Sequence, residues 1–306
     1  MKIITDISAP IKINNPVITI GTFDGVHAGH RVILGETVRQ AVANNSDSAV
    51  VTFYPHPRIV LGQEVSLLNT RTEKRSIIEN IGITHLIEIP FTVKFSDLKA
   101  EEFIKLLVDI INPSVVIIGY DHGFGRNRSG NLQQLIESGN QYGFKVIKVD
   151  AIEYGIQKVS SSIIRTLLLE GDVKKAGELL CLPYEVSGSV IRGNQIGKRL
   201  GYPTANLFIE DPYKLIPSMG VYASKVLIRN KEYDGMTNIG IRPTINTHQL
   251  TIETNIFDFN EDIYYEKITV KLIERIRDEQ KFENLENLIE QLKRDRISSE
   301  EILCGK

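Results

Sequence analysis

The sequence predicts an α/β domain followed by a β domain: first a parallel sheet with helices on both faces, then an antiparallel barrel or sandwich closed by one helix. Three observations carry this. The chain has 306 residues, enough for about two domains that each bury a core. Up to residue 180, short β-branched apolar runs alternate with stretches of helical spacing, the pattern of βαβ units. After Pro183 the runs are short or alternating and punctuated by Gly, Pro and Asn.

Taken in order, residues 17–20, 49–53, 85–89, 114–119 and 145–149 read as strands, and residues 31–43, 72–81, 100–110 and 131–141 read as helices. In such sheets ligands bind beyond the carboxyl ends of the strands. His30, Tyr54-Pro-His-Pro57 and residues 120–130 each follow a strand, so they are expected at one edge. Ser160 to Ser162 opens a further helix through Glu170, with a hydroxyl available as cap. Cys181-Leu-Pro-Tyr184 reads as the linker, which divides the chain into domains at 1–183 and 184–306. Strands are then expected at 187–191, 221–228, 236–239, 251–257 and 267–272. Leu285, Leu288, Ile289 and Leu292 share one face of a closing helix that Asn284 can cap.

Composition narrows the function. Hydrophobic residues make up 42% and charged residues 24%, with a net charge of −2, as in ordinary globular proteins. Neither half carries the basic excess that would advertise nucleic-acid or anionic-membrane binding. Cys181 and Cys304 form no zinc or C-x-x-C spacing and read as free thiols. No signal peptide and no run of about 18 apolar residues is present, so a cytoplasmic protein is expected.

The richest stretch is Gly21-Thr-Phe-Asp-Gly-Val-His-Ala-Gly-His30, which joins a strand to a helix. Free backbone N–H groups and the positive helix end at such a junction attract phosphate, glycines admit close approach, and His27 and His30 add donors or charge. A zinc site would need further ligands, which no nearby Cys, Asp or Glu set supplies. Ser160-Ser-Ser-Ile-Ile-Arg165 reads as a second anion-binding helix start, or as a serine cap with a solvated arginine. Two such starts suit nucleotidyl transfer, which needs positioning and charge neutralisation and no side-chain nucleophile.

In the second half, Gly193-Asn-Gln-Ile-Gly-Lys-Arg199 departs from a P-loop by one residue between the glycines and by Arg where Ser or Thr should follow Lys. It reads as a glycine-rich flap over phosphates, with Lys198 or Arg199 supplying charge. Pro203-Thr-Ala-Asn206 is either a turn entering a strand or, through Thr204 and Asn206, a pair of hard oxygen ligands for Mg²⁺. Glu253, in a β-rich run, is an outward solvated carboxylate or, if it faces a cleft, a base for an alcohol attacking a γ-phosphate.

Gly21–His30 resembles the H-x-G-H signature of the nucleotidylyltransferases, and Ser160–Arg165 resembles their second, serine-containing motif. With Thr52-Phe-Tyr-Pro-His-Pro57 and Gly119-Tyr-Asp-His-Gly-Phe-Gly-Arg126, the first half resembles the adenylyltransferase module of the prokaryotic bifunctional riboflavin kinase/FAD synthetase family. Pro203–Asn206, Gly220-Val-Tyr-Ala223, Asn238-Ile-Gly-Ile-Arg-Pro-Thr244 and the Glu253 segment resemble its riboflavin kinase module. The resemblance implies a Rossmann-like first domain, a small β-barrel second domain, ATP as co-substrate, Mg²⁺, and riboflavin, FMN and FAD as the small-molecule partners.

It also implies roles. His27 and His30 contact ATP phosphates; Gly21, Phe23, Asp24 and Gly29 line the nucleotide site; Ser161, Ser162 and Arg165 clamp the triphosphate. Pro55, Pro57 and Asp121 border the flavin. In the second module Gly193, Lys198 and Arg199 cover phosphates, Thr204 and Asn206 hold Mg-ATP, Glu253 is the general base, and the run from Arg275 to Phe282 approaches the isoalloxazine. Two positions depart from the family pattern: Gly123 stands where Arg or Lys is usual, and Tyr265 where Gly is common.

Overall fold

Six strands, β1 (Lys2–Ile4), β2 (Val17–Ile20), β3 (Ser48–Tyr54), β4 (His85–Pro90), β5 (Val115–Gly119) and β6 (Lys145–Val149), pair in parallel in the order β1-β4-β3-β2-β5-β6. β2 is buried at all four positions, as a central strand covered on both faces must be. The computed structural model describes residues 1–120, 123–150, 153–154, 157–193, 196–243 and 248–305.

Alternate strand residues feed two cores. Ile18, Ile20, Val51, Ile87, Ile89, Val116 and Ile118 pack with Phe103, Ile104, Leu107, Ile110 and Ile111 of α5 (Ala100–Ile111), after the short α2 (Pro57–Val60) and α4 (Val93–Ser96). On the other face Val50 and Leu86 pack with Leu34 of α1 (Ala28–Ala43) and Ile78 of α3 (Arg71–Asn80). α3 starts where it does because Thr70 and Glu73 cap each other: Glu73 N donates to Thr70 Oγ1 at 3.2 Å, and Thr70 N to Glu73 Oε2 at 2.9 Å. α6 (Leu132–Tyr142) and a two-stranded hairpin, β7 (Glu153–Tyr154) and β8 (Gln157–Lys158), complete this part.

By its contacts the chain divides into two compact units, Met1–Ser160 and Ser161–Lys306. The second opens with α7 (Ser161–Glu170) and α8 (Val173–Leu180). Then β9 (Tyr184–Ile191), α9 (Ile196–Arg199), β10 (Thr204–Phe208), β11 (Gly220–Ile228), β12 (Lys231–Pro243), β13 (His248–Ile256) and β14 (Lys267–Arg277) build a closed barrel in the order β10-β13-β12-β11-β14-β9. The barrel, of the two expected antiparallel forms, is the one adopted. A ladder of buried hydroxyls crosses its interior, Ser224 to Thr237 at 2.8 Å and Thr237 to Thr254 at 3.0 Å, so each polar atom is paired without water. α10 (Leu285–Leu303) docks through buried Asp295, which takes Arg277 Nε at 2.9 Å and Nη2 at 2.7 Å. Asn284 caps it, accepting Asn287 N at 2.8 Å.

Periodicity missed the short α2, α4, α8 and α9 and the β7–β8 hairpin, and three further features. β1 is three residues long, too short to show a period, and is recognisable only by its pairing with β4. The Thr204–Asn206 segment is a strand, β10. Tyr184, read as the end of the linker, is the buried first residue of β9, and its hydroxyl donates to Leu215 O at 2.7 Å.

Candidate functional site

Two clusters, one in each unit, collect the residues that the sequence singles out. In the first, the strand order reverses at β2, with β3 and β4 on one side and β5 and β6 on the other. That switch point is where open α/β sheets bind ligands, and Gly21–His30 leaves β2 there. Gly119 closes β5; a Cβ on it would lie 2.9 Å from Ile33 Cδ1, so the glycine lets α1 approach the sheet.

Within the turn Phe23, Gly25 and Val26 have φ of 48°, 88° and 42°. Left-handed backbone at two non-glycine residues is strain of the kind held at functional sites. Gly21 faces the Phe23 ring, 3.1 Å from where a Cβ would sit, and Gly29 faces the His27 ring at 3.3 Å. Phe23 is buried in the α1/α3 core. Asp24 is also buried, and its Oδ1 takes Leu68 N at 2.9 Å, tying the turn to the segment before α3.

His27 caps α1, its Nδ1 accepting His30 N at 3.4 Å. The two imidazoles stack with centroids 3.7 Å apart, and Phe23 meets His30 edge-on at 5.2 Å. Burial, then the neighbouring His27 and Lys74, hold the His30 imidazole well below the usual 6.5. It is therefore neutral at pH 7 and offers hydrogen bonds instead of charge, while its Nδ1 is buried with no partner among the described residues. The positive charge at this edge comes from α3. Lys74 Nζ donates to Thr22 O at 3.2 Å and Thr52 Oγ1 at 3.3 Å. Arg71 and Arg75 grip the buried Glu88, Nε to carboxylate at 3.0 and 2.9 Å. None of these four was singled out from the sequence.

Tyr54 lies under the Arg71 guanidinium at 3.8 Å; Pro55 is exposed and Pro57 opens α2. Behind them Phe53, Phe91 and Phe95 form an aromatic group with centroids 5.5 to 5.9 Å apart. After β5, Lys158 sits 4.3 Å over the Tyr120 ring. Gly123 is half-buried, and Asp121 lies outside the described residues.

In the second unit Ser161 and Ser162 form the first turn of α7, with Arg165 half-buried one turn on. On the barrel, register gathers the motif residues. Asn206 of β10 and Asn238 of β12 both pair with Glu253 of β13, so three polar side chains form a row across three strands. Ala205, Leu207, Ile252 and Thr254 turn inward, which leaves that row on the outer face. Thr204 Oγ1 donates to Glu253 Oε2 at 3.3 Å. Asn255 Nδ2 donates to Pro203 O at 2.7 Å, fixing the start of β10. A Cβ at Gly193 would lie 2.5 Å from Asn206 Nδ2, so the missing side chain makes room for that amide.

The flap expected there ends in a helical turn, α9, with Arg199 exposed at its end; the Lys198 side chain is outside the described residues. A cavity of about 370 Å³ beside it is lined by Arg192, Gly193, Asn206, Asp211, Lys214 and Thr251, among others. Arg275 is elsewhere: its guanidinium reaches Met219 O and Asp278, against Gly171 and Gly220, and lines a different cavity of about 300 Å³. Phe282 is half-buried with the Arg277 guanidinium 5.8 Å from its ring centre. Among the described residues no helix is long and apolar enough to cross a membrane, and no group of three His, Cys, Asp or Glu could hold a metal.

Two family models match in sequence: FAD synthetase over residues 10–163 and riboflavin kinase over residues 180–303. The chain is 41% identical to the bifunctional riboflavin kinase/FMN adenylyltransferase of Buchnera aphidicola from Schizaphis graminum, covering 96% of each chain. It is 34% identical to that of Listeria monocytogenes, covering 92% of this chain and 90% of the relative, and 32% identical to that of Escherichia coli K12, covering 93% and 92%. A Streptococcus pneumoniae crystal structure named as a macrolide-efflux protein superposes with a TM-score of 0.86 at 31% identity, covering 98% of this chain and 99% of that one. With a parallel sheet matched by one model, a closed barrel matched by the other, and relatives alike over nearly their whole length, the chain belongs to the bifunctional riboflavin kinase/FMN adenylyltransferase family.

Proposed function

We propose that the chain carries out two successive transfers on a flavin. The barrel phosphorylates riboflavin with ATP, giving FMN and ADP; the parallel-sheet site then moves AMP from a second ATP onto FMN, giving FAD and pyrophosphate. The observation that carries this reading is the placement of Thr204 and Asn206 beside Glu253 on one barrel face, 3.3 Å separating Thr204 Oγ1 from the carboxylate.

In the first reaction Glu253 takes the proton of the ribityl 5′-hydroxyl as its oxygen bonds to the γ-phosphorus and the bond to ADP breaks. Thr204 and Asn206 offer hard oxygens beside one carboxylate, a donor set that fits Mg²⁺, which when bound neutralises phosphate charge. Gly193, Lys198 and Arg199 cover the phosphates. The run from Arg275 to Phe282 approaches the flavin ring, and the Arg275 guanidinium also holds Met219 O before β11.

In the second reaction an FMN phosphate oxygen bonds to the α-phosphorus and pyrophosphate leaves. His27 and His30 hydrogen-bond to the phosphates, and the Gly21–Gly29 turn with Phe23 and Asp24 shapes the nucleotide pocket. Ser161, Ser162 and Arg165 bind triphosphate, and Pro55, Pro57 and Asp121 border the flavin. The functional modules on this reading are 1–183 and 184–306.

The test separates the two halves. Glu253→Gln is expected to lower riboflavin phosphorylation about 10²- to 10⁴-fold, the usual share of a general base, while sparing FAD formation from supplied FMN. His30→Ala is expected to lower FAD formation about 10²-fold, the usual effect of removing a donor to a developing charge, and to spare FMN formation. A folded variant that lost both activities together would overturn the assignment of separate sites.

A further inference from the structure

We infer that Lys74 is a phosphate-binding residue of the parallel-sheet site, its ammonium donating to a non-bridging oxygen of the nucleotide polyphosphate at the Gly21–His30 turn. This rests on the adenylyl-transfer reading above and adds to it a residue from α3.

Arg71, Lys74 and Arg75 stand at i, i+3 and i+4 and so share one face of α3. That face meets the carboxyl halves of β3 and β4, as the contacts to Thr52 and Glu88 establish. The two arginines are committed to Glu88, and Lys74 is not. Its Nζ spends two of its three donors on Thr22 O and Thr52 Oγ1, leaving one N–H without an acceptor among the described residues. Thr22 belongs to the turn itself, and Lys74 is close enough to His30 for its charge to depress that imidazole. His30 Nδ1 is likewise buried without a partner. A buried polar atom left without a partner is costly; His30 Nδ1 is one, and the half-buried Lys74 keeps a donor near it. An anionic oxygen with several lone pairs answers both, since it can accept from the ammonium and from the imidazole in the tautomer that carries its proton on Nδ1.

The surroundings make the ammonium responsive. Asp24 from the turn, His27 and His30 from α1, Arg71 and Arg75 from its own helix, and Glu88 from β4 are the charged or titratable groups around it. Burial lowers Lys74 from its usual 10.5, against the pull of Asp24 and Glu88. A bound polyphosphate would keep the ammonium protonated.

The experiment uses the full chain with pyrophosphate as probe, alongside the pH profile of kcat/KM for ATP in FAD formation from FMN. Riboflavin phosphorylation by the same molecules reports folding of the other half, and circular dichroism reports the whole. Lys74→Met is expected to weaken pyrophosphate binding about tenfold or more and to abolish the alkaline fall of kcat/KM. Lys74→Arg is expected to retain binding and to move the alkaline fall upward, because a guanidinium does not titrate there. Wild-type pyrophosphate affinity with an unchanged alkaline limb in Lys74→Met would reduce Lys74 to a brace for Thr22 and overturn the inference. Should Lys74→Met not fold, an unchanged alkaline limb in Lys74→Arg overturns it and a shifted one supports it. Wild-type protein that made no FAD from FMN would instead refute the adenylyl-transfer reading, and pyrophosphate binding would still decide for or against Lys74.

Discussion

At Tyr265 the backbone has φ of 67°, a left-handed conformation that glycine takes freely and a tyrosine does not. Its side chain is 72% exposed, so packing returns little. The turn into β14 thus holds a tyrosine in a strained conformation that its packing does little to offset. Tyr265→Gly is expected to stabilise the second unit by about 1 kcal/mol, after allowing for the greater freedom of glycine in the unfolded chain. That would raise its melting temperature by roughly 2–4 °C; a fall in thermal denaturation would contradict the strain. Only the substitution was visible in sequence, because a torsion angle leaves no trace in residue type. The same holds in the Gly21–His30 turn. Gly25 takes a left-handed torsion, but so do Phe23 and Val26, while Gly21 and Gly29 serve by lacking a Cβ beside aromatic rings.

α3 shows what periodicity can and cannot deliver at the scale of an element. The helix was expected at 72–81 and runs Arg71–Asn80, its start set by a reciprocal cap. Its charged face was not singled out, because sequence does not show that β4 places a buried glutamate opposite it. Burial opposes ionisation of Glu88, but hydrogen bonds from Arg75 and Arg71 outweigh this and hold its carboxyl below the usual 4.5. A carboxyl lowered in the fold contributes stability that is complete above the unfolded value and is lost as pH falls through the folded one. Glu88→Gln should therefore cost about 3 kcal/mol at pH 7, the lower range for breaking a buried ion pair, and progressively less toward pH 3. Urea unfolding at the two pH values measures this; an equal gap at both would mean that the ion pair contributes nothing. β10 is the counter-case: the Pro203–Asn206 motif read either as a turn entering a strand or as ligands, and the structure gives the strand, in register with β13.

For the whole molecule, the change of rhythm near residue 183 was enough to announce an α/β part and a β part, since the period of apolar residues is fixed by backbone geometry. Its exact articulation was less legible. α7 and α8 count with the barrel by contact, held there by Ser218 N to Leu168 O at 3.0 Å and by Lys174 to Glu274 at 2.8 Å. Long-range packing of that kind is not encoded in local spacing. The motifs of both modules stood out because few residue types recur in them at fixed spacing. The cationic face of α3 did not, because it is defined by neighbours far apart in sequence. The most direct measurement incubates the wild-type chain with riboflavin, ATP and Mg²⁺ and separates the flavins chromatographically over time. The account predicts FMN first and FAD after it, with ADP and pyrophosphate as the co-products. No phosphorylated flavin at all, or FMN that never proceeds to FAD, would contradict it.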